Sequence, residues 1–553
     1  MLFMKELAMK KSRQAVCQHK LNGVHLFFFS IGCIYFLFFH LGSYGLFETT
    51  DARYAEISYE MTKTGDFITP HLNYIKHFHK PPFTYWITSL GYHIFGYNEW
   101  GARFFLGIAG LLILIITFLL SSSMFDVETG IFSSFILLSM VGFIAVTHIV
   151  STDVYLLASI TLSIYLLWQW ENRNTSPLWL WTILGISSLI KGPVGPILIG
   201  IIVIIYLILS GQIKRIKELQ IKKGILIFSI IAFPWYIIVC LKNKGLFPYF
   251  IHAQFLSRLT SGTMGHTYPW HYYLWILPLL IFPWTIYLIP ALGGNFFRLN
   301  RERLLLILWV IIPFILFSLM KTKLPFYIMP CFPPLAILLA TRWNSPKESK
   351  LLNITNRVMW VLILILAIIS FGIAIEIIPL PKHLSEWQSL KSMWLIGGLI
   401  LCGLTALGYI ALKKRKVILN FYILVALVAS TSIPLLSHVD RLPLNTYASL
   451  GERIELLARP EDMIAQYKCY LRSLPFYVGR RVVLVGVERE TQFEDDASYH
   501  EFLLTPQEFF EQWEKKQCIF CVVNKNRLSE FKGDYFLIAE KRKYALITNI
   551  PLG

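Results

Sequence analysis

From about residue 24 to residue 436 the chain is a succession of apolar runs, and after residue 436 they stop. Most runs are long enough to cross the roughly 30 Å hydrocarbon core of a bilayer as a helix. Lipid offers no partner for backbone N–H and C=O groups, so repeated runs of this length admit one architecture, a bundle of α-helices. The expected fold is therefore a polytopic α-helical membrane protein with a separate segment, residues 437–553, outside the bilayer. With 55% of residues hydrophobic and 15% charged, a soluble globular chain is excluded.

The stretch 48–97 breaks the apolar pattern with carboxylates, histidines, a lysine and aromatics. Within it, residues 83–95 are apolar but short, and they carry Tyr85, Trp86, Tyr92 and His93. A run of this kind, entered through Pro81 and Pro82, is expected to lie in the interface and not to span. Charge bookkeeping supports that choice. With 83–95 kept outside, spans fall near 24–41, 102–120, 131–150, 154–170, 178–190, 194–209, 225–241, 272–292, 304–320, 324–340, 358–378, 393–412 and 417–436, about thirteen in all. The basic loops around Lys214, Arg301, Arg342 and Lys413 then all lie on the cytoplasmic side, with the basic tail 1–20. Counting 83–95 as a span would turn each of them outward.

A net charge of +18 could suggest nucleic acid, but the cations sit in short loops between spans, where they set topology, so no nucleic-acid partner is expected. The tail 1–20 precedes an apolar run without a small-residue cleavage site and reads as retained. Cys518 and Cys521 have CxxC spacing inside a strand-like run, without the two further ligands of a structural zinc site.

The same parity gathers the remaining polar residues on the outer face. The first loop (42–100) brings Asp51, Arg53, Glu56 and Lys80, the later segments Asp153, Lys191, Arg258, Lys321, Lys323 and Tyr327. Each has a bland reading. Asp51 fits a helix N-terminus as well as a general base, and Lys80 could simply snorkel. Several cations at one depth nevertheless suit a lipid phosphate, whose leaving-group charge they would stabilise. Histidines at 71, 77, 79, 252, 266 and 271 match no compact metal motif. The final segment alternates helix-like and strand-like pieces, with Thr505-Pro506-Gln507-Glu508 as a capping box, and is expected to be a small α/β domain over the outer face.

The motifs Asp51-Ala52-Arg53-Tyr54-Ala55-Glu56, Lys80-Pro81-Pro82, Asp153, Lys191-Gly192-Pro193 and Lys323-Leu324-Pro325-x-Tyr327 resemble the GT-C membrane glycosyltransferases, a superfamily that includes the protein mannosyltransferases. More closely, they resemble the bacterial aminoarabinose (4-amino-4-deoxy-L-arabinose) lipid A transferases, and residues 467–486 look like that branch's periplasmic domain. The resemblance implies inverting transfer of a sugar from undecaprenyl phosphate to lipid A, or to another periplasmic acceptor, at the outer face of the bacterial inner membrane. It implies Asp51 and Asp153 as the acids and Lys80, Arg258 and Tyr327 as holders of the carrier phosphate. Arg53, Glu56, Lys191 and Lys323 would line the cavity or meet the sugar. Family members commonly carry a glutamate, associated with a divalent metal, where this chain has His79, which leaves His79 and His252 as the candidate ligands; no organic cofactor is implied. Other sugars and a hydroxyl acceptor stay open. A secondary transporter is the reading from another class, disfavoured because the polar residues crowd one face and no internal repeat is visible.

Overall fold

The structure, a computed structural model, describes residues 23–250, 267–291, 300–343, 350–381, 384–436, 445–487, 502–515, 517–531 and 535–551. Among the described residues six helices are long and apolar enough to cross a membrane by themselves: Glu99–Met124, Ile221–Lys242, Arg301–Leu319, Pro325–Trp343, Lys350–Ala374 and Lys391–Lys413. A pair of shorter helices, Tyr272–Leu280 and Thr285–Ala291, passes the same test together and is bent by 108°, with Pro278 in the last turn of the first helix and Pro283 in the break. The other expected spans are shorter or more polar helices: Gly23–Phe38, Val127–Leu138, Asp153–Glu171, Leu178–Lys191, Val194–Leu209 and Val417–Leu436. Large aliphatic side chains such as Ile230, Leu241, Ile368 and Leu399 are exposed on the long helices, as a lipid-facing surface requires.

One expected span, 131–150, is interrupted. Its first helix ends at Leu138, and a second, Val141–Val146, follows. Ser139 at the break donates to Phe135 O at 2.7 Å and accepts the Trp284 indole N–H at 3.0 Å, so the broken ladder is stitched to the bent pair.

The stretch 83–95 forms the helix Phe83–Phe95, beginning at Pro82. It packs on Glu99–Met124 at backbone contact, since a Cβ at Gly91 would lie 2.1 Å from Gly101 O. Above it lies the loop helix Thr50–Thr64, whose residues 54–61 are all buried. Tyr92 Oη donates to Ala55 O at 3.1 Å and Ser89 Oγ to Ser58 O at 3.0 Å, so the two helices are fastened by hydroxyls as well as by area. The loop helix stops at Gly65, whose φ of +74° provides the left-handed cap. A small hairpin follows, β1 (His71–Leu72) and β2 (Ile75–Lys76). Its turn residues Asn73 and Tyr74 have φ of +54° and +62°, the pattern of a type I′ turn.

The C-terminal domain is built on a six-stranded sheet of order β5-β4-β3-β6-β8-β7. Its strands are β3 (Met463–Tyr467), β4 (Val483–Val485), β5 (Leu503–Leu504), β6 (Ile519–Asn524), β7 (Phe536–Lys541) and β8 (Tyr544–Thr548). β3 pairs in parallel with β4 and β6, and β8 runs antiparallel to β6. Side-chain alternation covers both faces: Phe520 and Val522 join a core with Ile454 and Leu474, while Ile519, Cys521 and Val523 join one with Phe509 and Trp513. Cys518 packs on the first core and Cys521 on the second, so the CxxC pair serves opposite faces and both thiols are free. The capping box at Thr505 and Glu508 forms as the sequence indicates.

This domain closes over the first loop. Glu48 accepts from the Arg472 N–H at 3.0 Å and from the Ser473 N–H and hydroxyl at 2.8 and 2.5 Å. The Leu46 N–H donates to Tyr477 Oη at 2.7 Å, and that hydroxyl donates to Glu99 at 2.9 Å. Asn73 of the hairpin exchanges two hydrogen bonds with Val482, at 2.7 and 2.9 Å.

Candidate active site

Asp153 opens its helix and Lys191 closes another, each at the end whose partial charge favours it. The two side chains meet at 2.5 Å, 14% and 9% exposed. The Lys191 ammonium also stands 4.2 Å from the ring centroid of Tyr327, which lies in the turn Pro325–Cys331. Ser159 Oγ donates to Ser187 Oγ at 3.0 Å one or two turns below, fixing the two helices that carry the pair. Tyr54 of the loop helix lies within electrostatic reach of Arg53, Asp153 and Lys191, and burial pushes its hydroxyl above the usual tyrosine range. Asp153 spends Oδ1 on Lys191, and among the described residues Oδ2 accepts no hydrogen bond.

Asp51 is placed differently. It is fully buried, bonded to Arg103 at 2.5 Å, and it accepts the Val150 N–H at 2.6 Å and the Phe47 N–H at 3.0 Å. Arg103 in turn donates to the carbonyls of Leu41, Tyr44 and Gly45. The pair ties the first loop to the helix Glu99–Met124, and both carboxylate oxygens are committed. Arg103, a charge inside an apolar run, is a residue the sequence reading passed over, although intramembrane charge is itself a signal.

Glu56 faces the interior with Glu60, one turn on. Its carboxyl faces that of Glu60, which also accepts the Tyr74 N–H at 2.9 Å. Burial and the neighbouring carboxylate push the Glu56 carboxyl well above its ordinary range, and burial pushes Glu60 up to about 7. The two therefore share a proton at neutral pH.

Arg53 is half-buried, 5.8 Å from the Tyr54 ring, with no ion pair among the described residues. Lys80 and His79 are half-buried at the start of the interfacial helix, the rings of His77 and His79 lying 4.1 Å apart. Lys323 is buried and bonded to the carbonyls of Tyr268 and Met320. Arg258 and His252 lie outside the described residues. The structure thus brings Asp153, Lys191, Tyr327, Tyr54 and Arg53 together, and it sets Asp51, Glu56 and Lys323 in bonding networks of their own. Among the described residues no three His, Cys, Asp or Glu side chains gather as a metal set.

The dolichyl-phosphate-mannose-protein mannosyltransferase family matches residues 23–292, and the aminoarabinose transferase C-terminal domain family matches residues 450–549. The chain is 28% identical over 468 residues to an uncharacterised protein of Aquifex aeolicus, covering 81% of this chain and 85% of that one. It is 28% identical over 411 residues to the undecaprenyl phosphate-alpha-4-amino-4-deoxy-L-arabinose arabinosyl transferase of Pectobacterium carotovorum, covering 70% and 72%. Its fold matches that of ArnT from Cupriavidus metallidurans, solved bound to undecaprenyl phosphate. The TM-score is 0.84 at 21% identity, over 95% of this chain and 98% of that one.

Proposed function

We infer that this chain, a GT-C membrane glycosyltransferase that belongs with the aminoarabinose transferases and depends on a polyprenyl phosphate, moves 4-amino-4-deoxy-L-arabinose from undecaprenyl phosphate to lipid A. In this reading the reaction runs at the periplasmic face of the bacterial inner membrane. The observation that carries the reading is the Asp153–Lys191–Tyr327 cluster, on the face that also holds the loop helix and the C-terminal domain.

In the proposed step an oxygen of the acceptor phosphate attacks the anomeric carbon. The bond from that carbon to the carrier phosphate breaks, its electron pair leaves with undecaprenyl phosphate, and the configuration inverts. An ionised acceptor phosphate needs no base. The leaving phosphate gathers charge, and Lys80, Arg258, Lys191 and Tyr327 are the groups proposed to hold it. Asp153, with Oδ2 uncommitted, is proposed to orient the donor sugar through its amine. The bonds on Asp51 give it a positioning role, in which it fixes the loop that carries Arg53 and Tyr54. Lys323, spent on two carbonyls, supports the turn that presents Tyr327.

The mannosyltransferase match over residues 23–292 favours a second reading, transfer to a hydroxyl, in which Asp153 would take the proton. Mass spectrometry of lipid A from cells with and without this protein separates the two. An aminoarabinose increment present only with the protein supports the first. Unchanged lipid A, with the sugar carrier present, overturns it in favour of a hydroxyl acceptor.

A further inference from the structure

Beside the Asp153–Lys191 pair lies a buried side chain that the proposed chemistry has not used. Tyr155 stands two residues into the helix Asp153–Glu171, 6% exposed, and among the described residues its hydroxyl makes no hydrogen bond. Buried polar groups are almost always paired, so an orphan hydroxyl calls for an explanation. A serine or threonine hydroxyl in a helix can turn back to a carbonyl of its own helix. The tyrosine hydroxyl sits at the end of a rigid ring, beyond that reach. Its partner has to come from outside its own helix.

Helix register fixes where Tyr155 lies. Tyr155 and Ser159, four residues apart, share one stripe of their helix, and Ser187 and Lys191 share one stripe of Leu178–Lys191. Two contacts, Asp153 with Lys191 and Ser159 with Ser187 at 3.0 Å, set these helices antiparallel. Tyr155 therefore stands one turn from the serine pair toward Asp153, at the level of Lys191. Its ring meets that of Phe83 edge-on, centroids 5.7 Å apart, and Phe83 opens its helix three residues after Lys80. Tyr155 is thus flanked by the elements that carry both lysines proposed to hold the leaving phosphate. It also lies deeper along its helix than Asp153, on the side from which a lipid tail among the spans would approach. We propose that Tyr155 is a further binding residue for the carrier, its hydroxyl donating a hydrogen bond to an oxygen of the carrier phosphate. The assignment to that phosphate rests on the transfer reading given above; the orphan hydroxyl and its place do not.

The test uses the full-length protein in lipid nanodiscs, titrated with undecaprenyl phosphate and, separately, with undecaprenol, which keeps the tail and lacks the phosphate. Tyr155→Phe removes the hydroxyl and leaves the ring against Phe83. Losing a hydrogen bond to a charged oxygen weakens binding by about ten- to a hundred-fold. Tyr155→Phe is expected to lose that much affinity for undecaprenyl phosphate and none for undecaprenol. Its melting temperature without carrier should equal or exceed that of the wild type, since no bond within the protein is lost. Equal binding of undecaprenyl phosphate by the two proteins overturns the assignment. A matching loss for undecaprenol also overturns it, because the hydroxyl would then serve the tail. A carrier-free melting temperature several degrees below wild type overturns the orphan hydroxyl itself. A wild type that does not bind undecaprenyl phosphate refutes the transfer reading and this assignment together. One that binds it through Tyr155 yet transfers no sugar refutes the transfer reading and leaves the hydrogen bond standing.

Discussion

The shared proton between Glu56 and Glu60 makes a quantitative prediction. In the unfolded chain both carboxyls titrate near 4.5, while in the folded protein burial raises Glu60 to about 7, and burial and the neighbouring carboxylate raise Glu56 well above its ordinary range. Between those values the folded state binds more protons than the unfolded one, so stability falls as pH rises from about 4.5 to about 7. For Glu60 alone the displacement, at about 1.4 kcal/mol per unit, is worth about 3 kcal/mol. Glu60 is 1% exposed, so solvent does little to screen it. Replacing Glu56 by glutamine removes one of the two raised acids and leaves an amide that can still donate to Glu60, whose own burial is unchanged. The surrounding groups, Tyr59, Tyr74, Tyr92, Tyr470 and Arg481, stay as they are and cancel in the comparison. Apparent melting temperature in detergent, followed from pH 4.5 to 7.5, should fall for the wild type by several degrees and less for Glu56→Gln, which keeps only the Glu60 contribution. Parallel curves for the two proteins would refute the shared proton.

Three further outcomes are expected. Asp51→Asn turns an amide N–H2 toward one of three donors and leaves Arg103 buried without its counter-charge, a loss of about 3–5 kcal/mol. The folded yield by size-exclusion chromatography should collapse; a well-folded but inactive Asp51→Asn would instead make Asp51 the reacting acid. Asp153→Asn keeps the size of the side chain and loses the charge opposite Lys191, so transfer in membranes should drop at least about ten-fold while the protein stays folded; wild-type turnover would remove Asp153 from the site. Asn73→Ala deletes both bonds to Val482, about 1–3 kcal/mol, and should loosen the C-terminal domain, seen as faster proteolysis between β3 and β4; an unchanged cleavage rate would mean the hairpin contact is incidental.

The sequence displays some of this directly. Hydropathy marks the membrane helices, and the run 83–95, entered through two prolines, marks the short helix Phe83–Phe95 that the structure contains. The capping box at Thr505 is read from four residues because its bonds are local. β3 and β8 went unread, since short buried strands carry no period that separates them from loop or helix. The same limit applies to the site. Residue type and topology place Asp153, Lys191 and Tyr327 on one face, but whether a carboxylate is free or spent depends on partners far along the chain. Asp51 and Asp153 look alike in sequence; only Arg103, 52 residues away, and the Val150 N–H, 99 away, tell them apart.

The reach of the C-terminal domain back to the hairpin has a consequence in time. The bonds between Asn73 and Val482 join positions 409 residues apart. At a synthesis rate of about 5–20 residues per second, the loop helix emerges about 20–80 s before its cover exists. During that interval Glu48 lacks its three donors and Asn73 its two bonds to Val482, so the loop helix reaches its final packing only after the C-terminal domain has been made and docked.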